Sequence, residues 1–100
     1  VEDSKMYQFE LYVPEISGME KPLTDLEAEL RKVFGGFTRY HTIGSWKNPM
    51  GQDIVNKITV YRVIDEQRLK PVIETLAEYV KEHWNQESVL WTVQQTEMFV

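Results

Sequence analysis

Cysteine is absent from this 100-residue sequence. That removes disulfides, thiolate nucleophiles and thiolate zinc centres from consideration. Histidine is scarce as well: His41 and His83 are the only two. A metal centre wants at least two or three converging ligands, so no metal is expected. No apolar run approaches the roughly 18 residues of a membrane helix. Residues 1–5 are polar and acidic, unlike a secretory leader. Basic residues are in the minority, and the formal net charge of −5 is the wrong sign for general nucleic-acid binding. Walker A and dinucleotide fingerprints are missing, as are repeats, linkers and low-complexity tracts. The expectation is one cytoplasmic domain, residues 1–100, with no cofactor, no nucleic-acid partner and no membrane partner. Its hydrophobic fraction of 42% excludes native disorder.

The order of elements is legible from hydrophobic periodicity. Tyr7, Phe9, Leu11 and Val13 alternate with Gln8, Glu10 and Tyr12, the period of a half-buried strand that Pro14 ends. Leu23, Leu26, Leu30, Val33 and Phe34 form a helical stripe. Thr24 and Glu27 have capping-box spacing, which makes Thr24 the expected N-cap after a loop from Ile16 to Pro22. Gly35 and Gly36 stop the helix, one of them in the left-handed conformation. A second strand is expected over Phe37 to Ile43 and a third over Ile54 to Ile64. Between them runs a connection from Gly44 to Asp53, with a type I turn signature at Asn48-Pro49-Met50-Gly51. A second helix starts near Arg68 to Lys70, with Pro71 in its first turn, and ends near Asn85. Ser88 to Val100 is the last strand. Strand, helix, strand, strand, helix, strand with right-handed crossovers gives an α+β ferredoxin-like sandwich. Its four-stranded antiparallel sheet carries two helices on one face and a long β2–β3 hairpin.

Two helices cover one face only. The open face should carry Gln8, Glu10, Tyr12, Thr92, Gln94 and Thr96. The second strand's alternation is mixed: either Thr38, Tyr40 and Thr42 lie on the open face, or Arg39 and His41 do. Such a face is simply solvated, or it is a contact between copies. Stacking aromatics flanked by basic residues, which an RNA-reading sheet needs, are lacking.

Four of the five glycines fall between Gly35 and Asp53. Gly35 and Gly36, with Thr38, Arg39, Tyr40 and His41, are the candidate small-ligand residues, since a glycine-rich turn exposes backbone N–H groups to an anion. The competing reading is a helix stop leading into a strand. Trp46, Lys47 and Met50 on the hairpin are candidate partner contacts, with Trp46 the apolar anchor and Lys47 the charge. The alternative is a Trp46 packed within its own subunit. Trp84 and Trp91 read as core. Glu27, Glu29, Glu74, Glu78 and Glu82 read as a solvated acidic surface, and His83 as helix-end electrostatics.

The Gly-Gly-Phe-Thr…Tyr…Gly-Ser-Trp…Gly…Asp stretch, backed by Val-Tyr-Arg-Val, resembles small bacterial domains of unknown function. The long hairpin resembles the PII-like and divalent-cation-tolerance trimers, which implies nucleotide or small-effector binding at subunit clefts. The strand order is also similar to the dimeric α+β barrel family, some of whose members are enzymes with a sheet-face histidine. That resemblance implies His41, with Tyr40 or Arg39, as catalytic residues. The leading expectation is a non-enzymatic homo-oligomer, dimer or trimer, that binds a small molecule or a protein partner. The alternative is a small enzyme of the barrel type.

Overall fold

The computed structural model describes residues 6–66 and 69–96. Period-two alternation in the first segment becomes β1 (Met6–Pro14), and the first apolar stripe becomes α1 (Glu20–Phe34). β2 (Thr38–Lys47), β3 (Asp53–Asp65), α2 (Lys70–His83) and β4 (Trp91–Thr96) follow. The sheet is antiparallel throughout, in the order β2-β3-β1-β4. This is the ferredoxin-like βαββαβ architecture. Phe9, Leu11 and Val13 of β1 and Tyr61 and Val63 of β3 meet Leu26, Leu30, Ile73, Leu76 and Val80 of the helices in one buried cluster. Trp84 is buried and Trp91 packs against the same cluster, as their places in the apolar pattern suggest. No described helix is long and apolar enough to cross a membrane.

Three boundaries differ from the periodic pattern. α1 begins at Glu20, so Thr24 is not its N-cap. The Thr24 hydroxyl instead donates to the Glu20 carbonyl at 2.9 Å, one turn back inside the helix. The first turn faces solvent with Glu20 and Lys21, and so adds nothing to the apolar stripe. Pro22 is accommodated there because the first helical N–H groups have no intrahelical partner. At the other end, Gly35 (φ 82°) is the left-handed residue, and its N–H closes on the Arg31 carbonyl at 2.9 Å.

The second difference lies in the hairpin. The expected loop from Gly44 to Asp53 is largely ladder: pairing continues through Gly44↔Asn56 and Trp46↔Ile54 to Lys47↔Asp53. Only Asn48 to Gln52 turn. Asn48 Oδ1 accepts the N–H groups of Met50 and Gln52, each at 2.9 Å. Gly51 (φ 79°) donates to the Asn48 carbonyl at 2.9 Å. Gly44 is a packing glycine and not a turn residue. A Cβ there would sit 2.6 Å from Ile58 Cδ1 and 3.2 Å from the Trp46 ring. The third difference is β4, which starts at Trp91; the expected strand's residues 97–100 lie outside the described residues.

Gly35 generates a clean test. A Cβ at Gly35 would meet nothing within 4 Å, so Gly35→Ala isolates the backbone cost of a left-handed helix end. Urea unfolding should show a loss of about 1 kcal/mol, and Gly35→Asn a smaller one, since asparagine tolerates this conformation better.

Candidate functional site

Register decides which side chains share a face. Phe37 turns toward the helices and meets Tyr61 edge-on, with ring centroids 5.2 Å apart. Arg39 pairs with Tyr61 and His41 with Thr59, so both lie on the helix side. Tyr40 pairs with Val60 and Thr38 with Arg62, so Thr38, Tyr40 and Thr42 take the open face. There they join Gln8, Glu10 and Tyr12, and through β1–β4 pairing Thr92, Gln94 and Thr96.

The open face is organised around one carboxylate. Glu10 Oε2 accepts from the Tyr40 hydroxyl at 2.9 Å and from Arg62 Nε and Nη2 at 3.0 and 2.9 Å. Glu10 Oε1 accepts from the Tyr12 hydroxyl at 3.2 Å. Burial alone would raise the Glu10 pKa, but the bonds from Tyr40, Arg62 and Tyr12 outweigh it and hold the carboxyl below its ordinary value. Burial, then the Glu10 charge and hydrogen bond, push the Tyr12 hydroxyl up; burial, then the Glu10 hydrogen bond and charge, do the same for Tyr40. Arg62 also lies over the Tyr40 ring, 5.3 Å from its centroid.

Tyr12 links this network to a cleft of about 410 Å³ at the foot of the hairpin. Gly44, Trp46, Asn56 and Ile58 form its hairpin wall, and Gln86, Ser88, Val89 and Leu90 of the α2–β4 loop form the other. Trp46 is 47% exposed here, with its ring against the glycine. The loop is held by Tyr12 N–H bonding the Leu90 carbonyl at 3.0 Å and by Gln86 Nε2 bonding the Trp84 carbonyl at 2.9 Å. An indole, a phenol ring and three aliphatic side chains beside carboxamides and a hydroxyl suit a flat ligand with polar edges.

The helix side has a second carboxylate centre. Glu27 is not a solvated surface residue, as its place in the acidic pattern suggests. It accepts from the Tyr61 hydroxyl at 2.6 Å, pairs with Arg39, and lies 3.6 Å from Arg31. Burial and then the Glu27 hydrogen bond and charge push the Tyr61 hydroxyl well up. Next along the edge, His41 Nδ1 meets Glu15 Oε2 at 2.9 Å, and Thr59 Oγ1 lies 3.2 Å from that nitrogen. The bond from His41 is the largest influence holding the Glu15 carboxyl down. Glu15, His41, Lys57 and Thr59 line a cavity of about 390 Å³ with Met19, Leu23 and Trp84.

The sequence candidates are therefore divided. Thr38 and Tyr40 lie on the open face, Arg39 and His41 behind it, and Gly35 spends its N–H on the end of α1. His41 and Tyr40 do not share a face, so the pair does not form one catalytic centre. Of the hairpin candidates, only Trp46 lines the cleft. Lys47 pairs with Asp53 at 2.7 Å, and Met50 is exposed at the turn. His83 bonds the Tyr79 carbonyl and stacks on the Tyr79 ring with centroids 4.0 Å apart. Among the described residues, no three His, Asp or Glu side chains converge as metal ligands. Asn56 and Gln86 escape sequence reasoning, and the pairing of Glu10 with Arg62 on the open face does not show there. The signal for that pair is one charge of each sign on neighbouring strands, Glu10 in β1 and Arg62 in β3.

No family model matches the chain, and no curated protein matches it in sequence. Its fold recurs in solved structures. A phage SAM lyase in complex with S-methyl-5'-thioadenosine matches with a TM-score of 0.69 at 17% identity, over 95% of this chain and 84% of that one. The GlnK–ATP complex of B. subtilis, a PII-like protein, matches with a TM-score of 0.69 at 14% identity, over 96% and 85%.

The Glu10 network has a defined acid dependence. A carboxyl whose folded pKa is depressed adds stability above its unfolded value, and that contribution is lost as pH falls through the folded value. Glu10→Gln should lower stability near neutrality by about 1.5–3 kcal/mol, the range for hydrogen bonds to a charged group. It should also flatten the loss of stability below pH ~4.3, the ordinary glutamate value. Urea titrations at several pH values read both effects.

Proposed function

We propose that this chain is a non-enzymatic, homo-oligomeric small-ligand-binding domain whose ligand carries an adenosine group. The observation that carries this reading is the open-face cleft, where Trp46 and Tyr12 flank a slot edged by Asn56, Gln86 and Ser88. An adenine ring offers the flat aromatic face and polar edge that such a slot holds. The ligands named in the two structural neighbours, S-methyl-5'-thioadenosine and ATP, share that group. Assembly of several copies is supported by β2 and β4, which among the described residues are the edge strands of the sheet and have outward backbone groups that a folded protein normally covers.

A second reading, a small enzyme, is favoured by one observation. The Glu15 carboxylate occupies Nδ1 of His41, an arrangement that orients a histidine to work through its other nitrogen. On this reading Arg39, on the same face, is the accompanying residue and Tyr40 is not.

Calorimetric titration with ATP and with S-methyl-5'-thioadenosine tests the first reading. At least one should bind. Trp46→Ala should weaken it about fivefold or more, given ~1–3 kcal/mol for a base stacked on an aromatic ring. No binding of either compound at millimolar concentration overturns the adenosine assignment. Conversion of either compound by the wild type, abolished by His41→Ala, would establish the enzyme instead.

A further inference from the structure

The hairpin has a second uncovered surface, on its helix side. There Ile43 and Val55 are 67% and 64% exposed, at neighbouring register positions with no helix above them: Ile43 pairs with Lys57 and Val55 with Ser45. At the opposite edge of the molecule, α2 leaves a groove of about 650 Å³ beside β4. Ala77, Val89 and Trp91 give it an apolar floor, and Val93, 40% exposed, continues that strip along β4. Glu74 and Glu78 line its helix wall, with Lys81 also in the lining.

We propose that the helix-side face of one copy's hairpin docks into the α2–β4 groove of the next copy. The contact rests on the oligomeric part of the reading above and names its surfaces. Ile43 and Val55 supply the apolar strip, and Lys57 beside Ile43 meets the carboxylates of Glu74 and Glu78. The backbone supports the same pairing, because β2 and β4 are the edge strands of the sheet among the described residues.

Charge complementarity fits a head-to-tail contact between these two different patches. β2 carries Arg39 and Lys47 and no acidic residue. Pairing β2 with its own copy would set those groups against each other, and like charges opposite one another destabilise a sheet. β4 carries no charge along Trp91–Thr96 and lies beside an acidic helix wall. A contact between two different patches of this kind closes into a ring or extends as a filament.

Sedimentation of the full chain at micromolar concentration is the test, with circular dichroism as the check on folding. The wild type should run as a multiple of 11.9 kDa. Lys57→Glu should weaken association at least tenfold, and so should Glu74→Lys combined with Glu78→Lys. Combining all three substitutions should restore it. Val55→Asp should also weaken association without changing the monomer's fold, because its side chain is exposed. An assembled wild type that is indifferent to these substitutions overturns the docking contact and leaves the oligomeric reading standing. A wild type that is monomeric throughout overturns both.

Discussion

The longest strand and the helix packed on it are mismatched in length. β3 has 13 residues and α1 has 15. At ~3.3 Å per strand residue and 1.5 Å per helix residue, these span about 43 Å and about 22 Å. A helix of this length cannot cover a strand of that length. Roughly half of the β2–β3 ladder therefore projects beyond the helical layer, and the molecule is 53 Å long but only 21 Å thick. The ladder itself holds the projection. The exposed Lys47–Asp53 pair at its tip adds little, since such pairs are worth ~0–1 kcal/mol. The hairpin wall of the cleft and the bare Ile43–Val55 strip both lie on that projecting part.

Where the helices do cover the sheet, two half-buried carboxylates organise its two faces. Glu10 on the open face gathers two tyrosine hydroxyls and Arg62. Glu27 on the helix side gathers the Tyr61 hydroxyl and Arg39. Removing one partner costs more than forming the pair gains, because the remaining charge is left poorly solvated. Each centre ties β1 or α1 to the longer hairpin. Glu10 reaches residues 30 and 52 positions away, and Glu27 reaches one 34 positions away. Because Tyr12 also borders the cleft, the Glu10 network fixes the position of one of its walls.

The sequence carries the fold well because period-two and helical patterns are strong in Tyr7–Val13, Leu69–Trp84 and Leu26–Phe34. It carries β2 poorly. Its alternation is polar on both faces, and only the side taken by Phe37 settles it. Gly44 misleads for a different reason. Glycine serves both turns and close packing, and nothing local says that Ile58 and Trp46 close over this one. Glu27 misleads because its partners, Tyr61 and Arg39, are far away in sequence. Of the site, Trp46 stands out in the sequence as an exposed aromatic. Asn56 and Gln86 do not, since their proximity exists only once the α2–β4 loop is bonded to β1.

The projecting ladder separates its two proposed roles by the pleat of the strand. Successive residues point to opposite faces, so Gly44, Trp46, Asn56 and Ile58 serve the cleft, while Ile43, Val55 and Lys57 serve the opposite side. Val55 and Lys57 thus flank Asn56 in sequence without sharing its face. A substitution can change one face and leave the side chains of the other in place. Ligand affinity and assembly can therefore be perturbed separately at adjacent positions. Any effect that crosses from one face to the other has to pass through the ladder backbone itself.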